Sequence, residues 1–276
     1  MDEFDTSPEV LQRISRLEGR MENEERSIEK RVSLWGGIIA LMISLIIGTF
    51  QIYEYTILRQ SEAREAKIIQ IGTFVRRITE LNSEISRLSV FTDTPEKMAR
   101  ANVGAKIING EKLSIVRLAD RLLQEDPDAG GFAAYATIAY EMLTQGNNSK
   151  ALEYANAALE KSQTVPEKIE AQRYIARILF APGVTQDIQE ARKVFLDAKS
   201  LALNETSYLR SQLTASAISD LVVSEALFGD CDQSKLAMDE LETLMATEDS
   251  ALVFQLSIGE IRNSLIGSRK CPNLFR

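Results

Sequence analysis

The chain has 276 residues, 45% of them hydrophobic, and 32 Lys and Arg stand against 40 Asp and Glu for a net charge of −8. An acidic balance argues against a dedicated nucleic-acid binder, which needs a basic face to displace counterions. Histidine is absent, which removes HExxH zinc sites, Ser/His/Asp and Cys/His nucleophile systems and the imidazole proton shuttle.

Residues 1–33 form an N-terminal amphipathic helix. Val10, Ile14, Leu17, Met21 and Ile28 draw one apolar stripe through a charged segment, and Ser7-Pro8 supplies an N-cap and a proline in the first turn. Next come residues 34–53, LWGGIIALMISLIIGTFQIY. About 20 residues at 1.5 Å each cover the roughly 30 Å of bilayer hydrocarbon. Lys30 and Arg31 precede the run, Trp35 stands at one edge, and Tyr53 and Tyr55 stand at the other, where amphipathic rings favour the interface. The expectation is an uncleaved transmembrane helix; the alternative is a buried core helix. Gly36, Ala40, Ser44 and Gly48 recur every four residues and form a small-residue packing face for another span or a second copy. Arg20, Arg26, Lys30 and Arg31 lie before the span, and Arg59, Arg64 and Lys67 after it. The basic pair nearest the membrane favours a cytoplasmic N-terminus and an extracytoplasmic C-terminal domain, periplasmic in a bacterium; the reverse orientation is the alternative.

Residues 54–94 continue as a juxtamembrane helix. Ile71, Phe74, Ile78, Leu81, Ile85 and Leu88 step 3-4-3-4-3. That pattern suits either a short dimerising coiled coil or a helix packed as an N-terminal cap on the C-terminal domain. Thr92-Asp93-Thr94-Pro95 then breaks the helix.

Residues 95–276 carry internal self-similarity. The segment from Ala133 to Gln163, AAYATIAYEMLTQGNNSKALEYANAALEKSQ, resembles the tetratricopeptide repeat. Tyr135 stands at its first aromatic position, Ile138 and Ala139 at the apolar-small pair, Gly146 at the turn, and Ala151 and Ala158 on the second helix. Met142 departs from the usual tyrosine. Small residues at 139, 151 and 158 let two antiparallel helices approach closely. The same frame recurs upstream at Gly110, Ile115, Ala119, Leu122 and Asp126-Pro127. Downstream it recurs at Gly183, Asp187, Ala191, Phe195 and Ala198, where it also resembles the Sel1-type variant, and last at Gly229, Ser234, Met238 and Leu241. Ile115, Ala151, Ala191 and Ser234 would begin successive second helices, and residues 249–267 would close the array as a cap helix.

The resemblance implies an all-α helical-hairpin solenoid that binds a protein or peptide in a groove lined by the first helices, without catalysis, metal or cofactor. In that frame Lys97, Arg100, Tyr140, Arg173 and Arg177 project from first helices. They read either as a basic groove for an acidic segment or as a solvated face. Three functions are compatible: a membrane-tethered interaction scaffold or assembly factor, a structural subunit of a larger membrane complex, and an enzyme regulator. Cys231 would sit at the last hairpin turn, and Cys271 would return to it after two antiparallel helices. The pair is either a disulfide in an oxidising compartment or two separate thiols in a reducing one.

Overall fold

The computed structural model describes residues 8–90, 94–247, 251–265, 268, 270–272 and 274; within the first helix it describes the side chains of 15–16, 41–55 and 59–88. Ser7, and the side chains of Val10, Ile14, Leu17, Met21, Ile28, Trp35, Gly36 and Ala40, lie outside the described residues. Among the described residues the chain is entirely helical: α1 (Pro8–Val90), α2 (Pro95–Glu125), a 3-10 turn (Pro127–Ala129), α3 (Phe132–Thr144), α4 (Asn148–Lys161), α5 (Val165–Phe180), α6 (Ile188–Leu203), α7 (Arg210–Leu227), α8 (Cys231–Thr247) and α9 (Ala251–Ser264). The chain divides into two compact units, Met1–Ala63 and Arg64–Arg276, and α1 contributes to both.

In the first unit the apolar run is bare. Leu41, Met42, Ile43, Leu45, Ile46, Ile47 and Phe50 are all more than half exposed. Residues recurring at 41, 42, 43, 45, 46 and 47 point all round the helix, so among the described residues no face of this stretch is buried. Among the described residues one helical stretch, Leu41–Leu88, is long and apolar enough to cross a membrane. The Thr49 hydroxyl donates back to the carbonyls of Leu45 and Ile46 at 2.9 Å, which satisfies a polar group inside an apolar segment. Ser44 is exposed, and a Cβ at Gly48 would meet nothing within 4 Å.

In the second unit, the Arg64–Val90 part of α1 packs against the hairpins. Ile71, Ile78 and Leu81 are at most 2% exposed, and Phe74 packs against the same core. The heptad stripe is therefore used inside the monomer, which favours the cap over the coiled-coil stalk. This segment runs antiparallel to α2, with Leu88 against Gly104, Arg77 Nε donating to Glu111 at 2.9 Å and Lys67 3.6 Å from Glu125.

One expectation fails here. Gly110 is not a turn; α2 runs unbroken through it for 31 residues. A lone glycine costs a helix only about 1 kcal/mol relative to alanine. Burial of Val116, Ala119 and Leu123 on one side of the helix outweighs that.

From α3 onward the hairpins are regular, because each start and stop is written locally. Asn147 caps α4 by accepting from Lys150 N, Thr164 and Glu167 form a reciprocal capping box on α5, and Asp187 caps α6. Gly146 turns the chain between α3 and α4 at φ +76°, which a side chain would resist. Ala151, Ala191 and Ser234 are each 0% exposed where a second helix meets its first. Consecutive helices pack on one another, and α3–α5, α5–α7 and α7–α9 also touch, whereas the backbones of α4 and α6, and of α6 and α8, stay apart among the described residues, Lys199 of α6 reaching Glu240 of α8 by its side chain. The odd-numbered helices therefore form one row in mutual contact. α9 packs on both α7 and α8 and buries Phe254, Ile258 and Ile261.

Candidate functional site on the odd-numbered helices

The row of odd-numbered helices carries a polar-aromatic cluster built by α3, α5 and α7. Tyr140 on α3 and Tyr174 on α5 place their ring centroids 6.2 Å apart. The Arg177 guanidinium lies 5.8 Å from the Tyr140 centroid, within reach of its negative ring face. One turn earlier, Arg173 Nε donates to Asp220 of α7 at 2.8 Å. The Tyr174 hydroxyl donates to Glu170 at 3.1 Å. Burial, followed by the Glu170 charge, drives the Tyr174 phenol far above its ordinary range, so it remains a neutral donor.

Within this cluster the two arginines differ. Arg173 is neutralised by Asp220. Arg177 is half-buried, and no carboxylate among the described residues pairs with it. An arginine beside a ring face, with no carboxylate on its fork of donors, is suited to receive a carboxylate or a row of backbone carbonyls.

Of the five residues expected to face a groove, the structure brings together Tyr140, Arg173 and Arg177. Lys97 and Arg100 do not join them. Both lie exposed in the first turns of α2, just after the Thr94 cap. Because α2 is one long helix, it takes the place of a second helix: its Asp120 meets Lys150 and Tyr154 of α4. The first-helix place belongs to α1, whose Asn82 Nδ2 donates to Glu141 of α3 at 2.9 Å. Tyr174 and Asp220 escaped the sequence reading. Asp220 meets Arg173 across 47 positions, and no local pattern marks such a pair.

Two buried carboxylates lie on helices that carry the cluster, α3 and α7. Glu141, next to Tyr140, is 0% exposed and is the single charged residue of α3. Lys112 Nζ lies 2.9 Å from its Oε2. Glu225 on α7 is 1% exposed; Arg192 of α6 forks onto it at 2.5 and 3.0 Å, and the Asp230 backbone N–H donates to it at 2.8 Å. That carboxylate occupies the space a side chain at Gly229 would need, with Oε2 well inside contact distance of an ideal Cβ. At the far end of the stack, Cys231 and Cys271 are joined by a disulfide with Cα atoms 5.5 Å apart. Lys270 Nζ donates to the Gly229 carbonyl at 2.9 Å, placing a cation at the C-terminus of α7. Among the described residues no three of His, Cys, Asp and Glu come together to hold a metal ion.

Comparison with protein-family models, with curated proteins and with solved structures finds no match to this chain.

Proposed function

We propose that the chain is a non-catalytic, membrane-tethered interaction scaffold, with a tetratricopeptide-like stack that receives a protein or peptide segment along its odd-numbered helices. The observation that carries this reading is Arg177. It lies beside Tyr140 and, among the described residues, has no carboxylate partner in a chain with an acid surplus. Here two tyrosines and a neutralised neighbour frame one unspent cation on the odd-numbered row, which suits an acidic segment or a terminal carboxylate.

The tether is the apolar run. Its exposure on all sides leaves hydrocarbon as the medium that satisfies it, because an unpaired face of that length in water would aggregate. The Cys231–Cys271 bond supports a C-terminal unit in an oxidising compartment, with the N-terminus cytoplasmic.

The test is photocrosslinking in native membranes from a benzoylphenylalanine placed at 140, which keeps Arg177, compared with one at Val184, which is 93% exposed on the α5–α6 turn. A discrete heavier adduct at 140 and none at 184 is expected. Equal labelling at both positions, or none at 140, refutes the groove. Protease shaving of sealed vesicles before and after lysis assigns the side of the membrane.

A further inference from the structure

A stack of helical hairpins ends in two bare faces, and a polar outer surface on the terminal helices is what normally keeps such ends soluble. Both ends of this stack also expose large apolar side chains. On α2, Val103 is 59% exposed, Ile107 70% and Leu118 46%. At 100° per residue these three fall with Gly110 and Ser114 on one side of the helix. On α9, Leu252 is 67% and Leu256 61% exposed, one turn apart.

The two ends also differ in charge. α2 carries six basic and four acidic side chains. Three of the acids are already spent in ion pairs, Glu111 with Arg77, Asp120 with Lys150 and Glu125 with Lys67. Arg100, Lys106, Arg117 and Arg121 are exposed on the side of the apolar stripe, and none has an ion pair among the described residues. At the other end, α8 carries four acidic side chains and one basic. Asp239 and Glu242 of α8 and Glu260 of α9 are exposed and likewise unpaired among the described residues.

We infer that copies of this chain associate head to tail, the outer face of α2 in one copy docking on the outer face of α9 and α8 in the next. The occupant is fixed by complementarity. Two α2 faces brought together would oppose like charges across the contact, and two α9 faces would leave the basic stripe uncovered. Pairing α2 with α9 covers both sets of exposed leucine-type side chains and sets the unpaired cations against the unpaired carboxylates. The contact is heterologous, so it propagates into open chains or a closed ring rather than stopping at a symmetric dimer. It does not depend on the groove reading of α3, α5 and α7.

The experiment mixes two full-length variants in mild detergent, Ile107→Cys in one and Leu256→Cys in the other, and adds a bismaleimide. The native cysteines are bonded and do not react. A mixed crosslinked dimer is expected. A chain carrying both substitutions should give a ladder beyond the dimer. Arg117→Glu with Arg121→Glu should lower the mixed yield at least tenfold, and Asp239→Lys with Glu242→Lys on the opposite partner should restore it. Raising the salt should weaken the wild-type contact as surface charges are screened. The inference is overturned by a mixed yield no greater than that of Ile107→Cys with Leu196→Cys, an exposed position on α6. It is equally overturned by a yield confined to 107–107 pairs, or by charge-reversed variants that crosslink as wild type. Association with an acidic partner instead of a second copy would appear as a monomer in this assay and counts against it.

Discussion

Removing the disulfide should loosen one end of the stack rather than the whole of it. Cys231 opens α8 and Cys271 lies beyond α9, a sequence separation of 40 residues. In the chain-entropy model, ~40 residues closed by a crosslink correspond to about 4 kcal/mol at 25 °C. Double substitution Cys231→Ser and Cys271→Ser therefore raises the entropy of the open state of α8 and α9 by about that amount. The tail keeps other holds: Leu274 is 7% exposed, and Lys270 donates to the α7 terminus. Stacked hairpins exchange contacts only with neighbours, so the loss stays local. Hydrogen exchange of the full-length protein in detergent should show faster exchange over 251–264 by two to three orders of magnitude. Exchange over 132–161, three helices away, should change little. Exchange over α9 altered by less than threefold would refute the reasoning and mean that packing of Phe254, Ile258 and Ile261 alone holds the end shut. Equal acceleration across α3 and α4 would refute the locality instead.

Three further perturbations test the interior. Ala151→Leu inserts three carbons where Ala151 is 0% exposed, and thermal unfolding should show a loss of about 1–3 kcal/mol from overpacking; an unchanged midpoint would place that alanine at the surface. Glu225→Ala strands Arg192 and the Asp230 N–H, a loss of about 3 kcal/mol, at the low end for a broken buried pair because Arg192 retains 26% exposure. Gly229→Ala should also destabilise, but less in the Glu225→Ala background, where the colliding carboxylate is gone; strict additivity by denaturant melts would disprove the clash. Asp120 concerns pH. Burial acts to raise its carboxyl, but hydrogen bonds from Lys150 and Tyr154 and the Lys150 charge outweigh it and hold it below the ordinary value of 3.8. A depressed folded value contributes stability above the unfolded value, lost as pH falls through the folded one. The stability difference between wild type and Asp120→Asn should therefore be flat above about pH 5 and shrink below about pH 4; a constant difference down to pH 2 would show that the pair contributes nothing.

The features legible in the chain beforehand are those set by local chemistry. The apolar run, the helix break at Thr94-Pro95 and the glycines at 146, 183 and 229 act within a few residues, and the structure places each glycine at a turn. Gly110 misled because the same residue type both permits a turn and survives in a long helix; burial further along α2 decided between them. That error carried Lys97 and Arg100 onto the wrong row of helices. The heptad of α1 could not separate stalk from cap, since Ile71, Ile78 and Leu81 present the same stripe to a second copy or to α2 and α3. Glu141 left a trace, as a single charge in an otherwise uncharged helix, yet its partners Lys112 and Asn82 lie 29 and 59 positions away. Arg173 with Asp220 left no trace.

The buried interior is rich in alanine, at 139, 151, 155, 158, 171, 176, 191, 198 and 202 among others. Small side chains let helices approach closely, but they make smooth surfaces on which one hairpin could slide along the next by a turn. Apolar burial does not oppose such a slip, because it is non-directional. The polar ties do. Lys112 to Glu141, Lys150 to Asp120, Asn148 to the Pro182 carbonyl, Arg192 to Glu225 and Lys199 to Glu240 each join elements some 30 to 40 positions apart. A shift of one helical turn, about 5.4 Å, would break each of them and leave Glu141 and Glu225 charged and unpaired inside. The stack thus takes its cohesion from alanine contacts and its register from ion pairs. The same division bears on Arg177: among the described residues the other half-buried cations are matched to carboxylates, and in the proposed scaffold Arg177, half-buried beside Tyr140 without such a match, is the group left to fix the register of a bound segment.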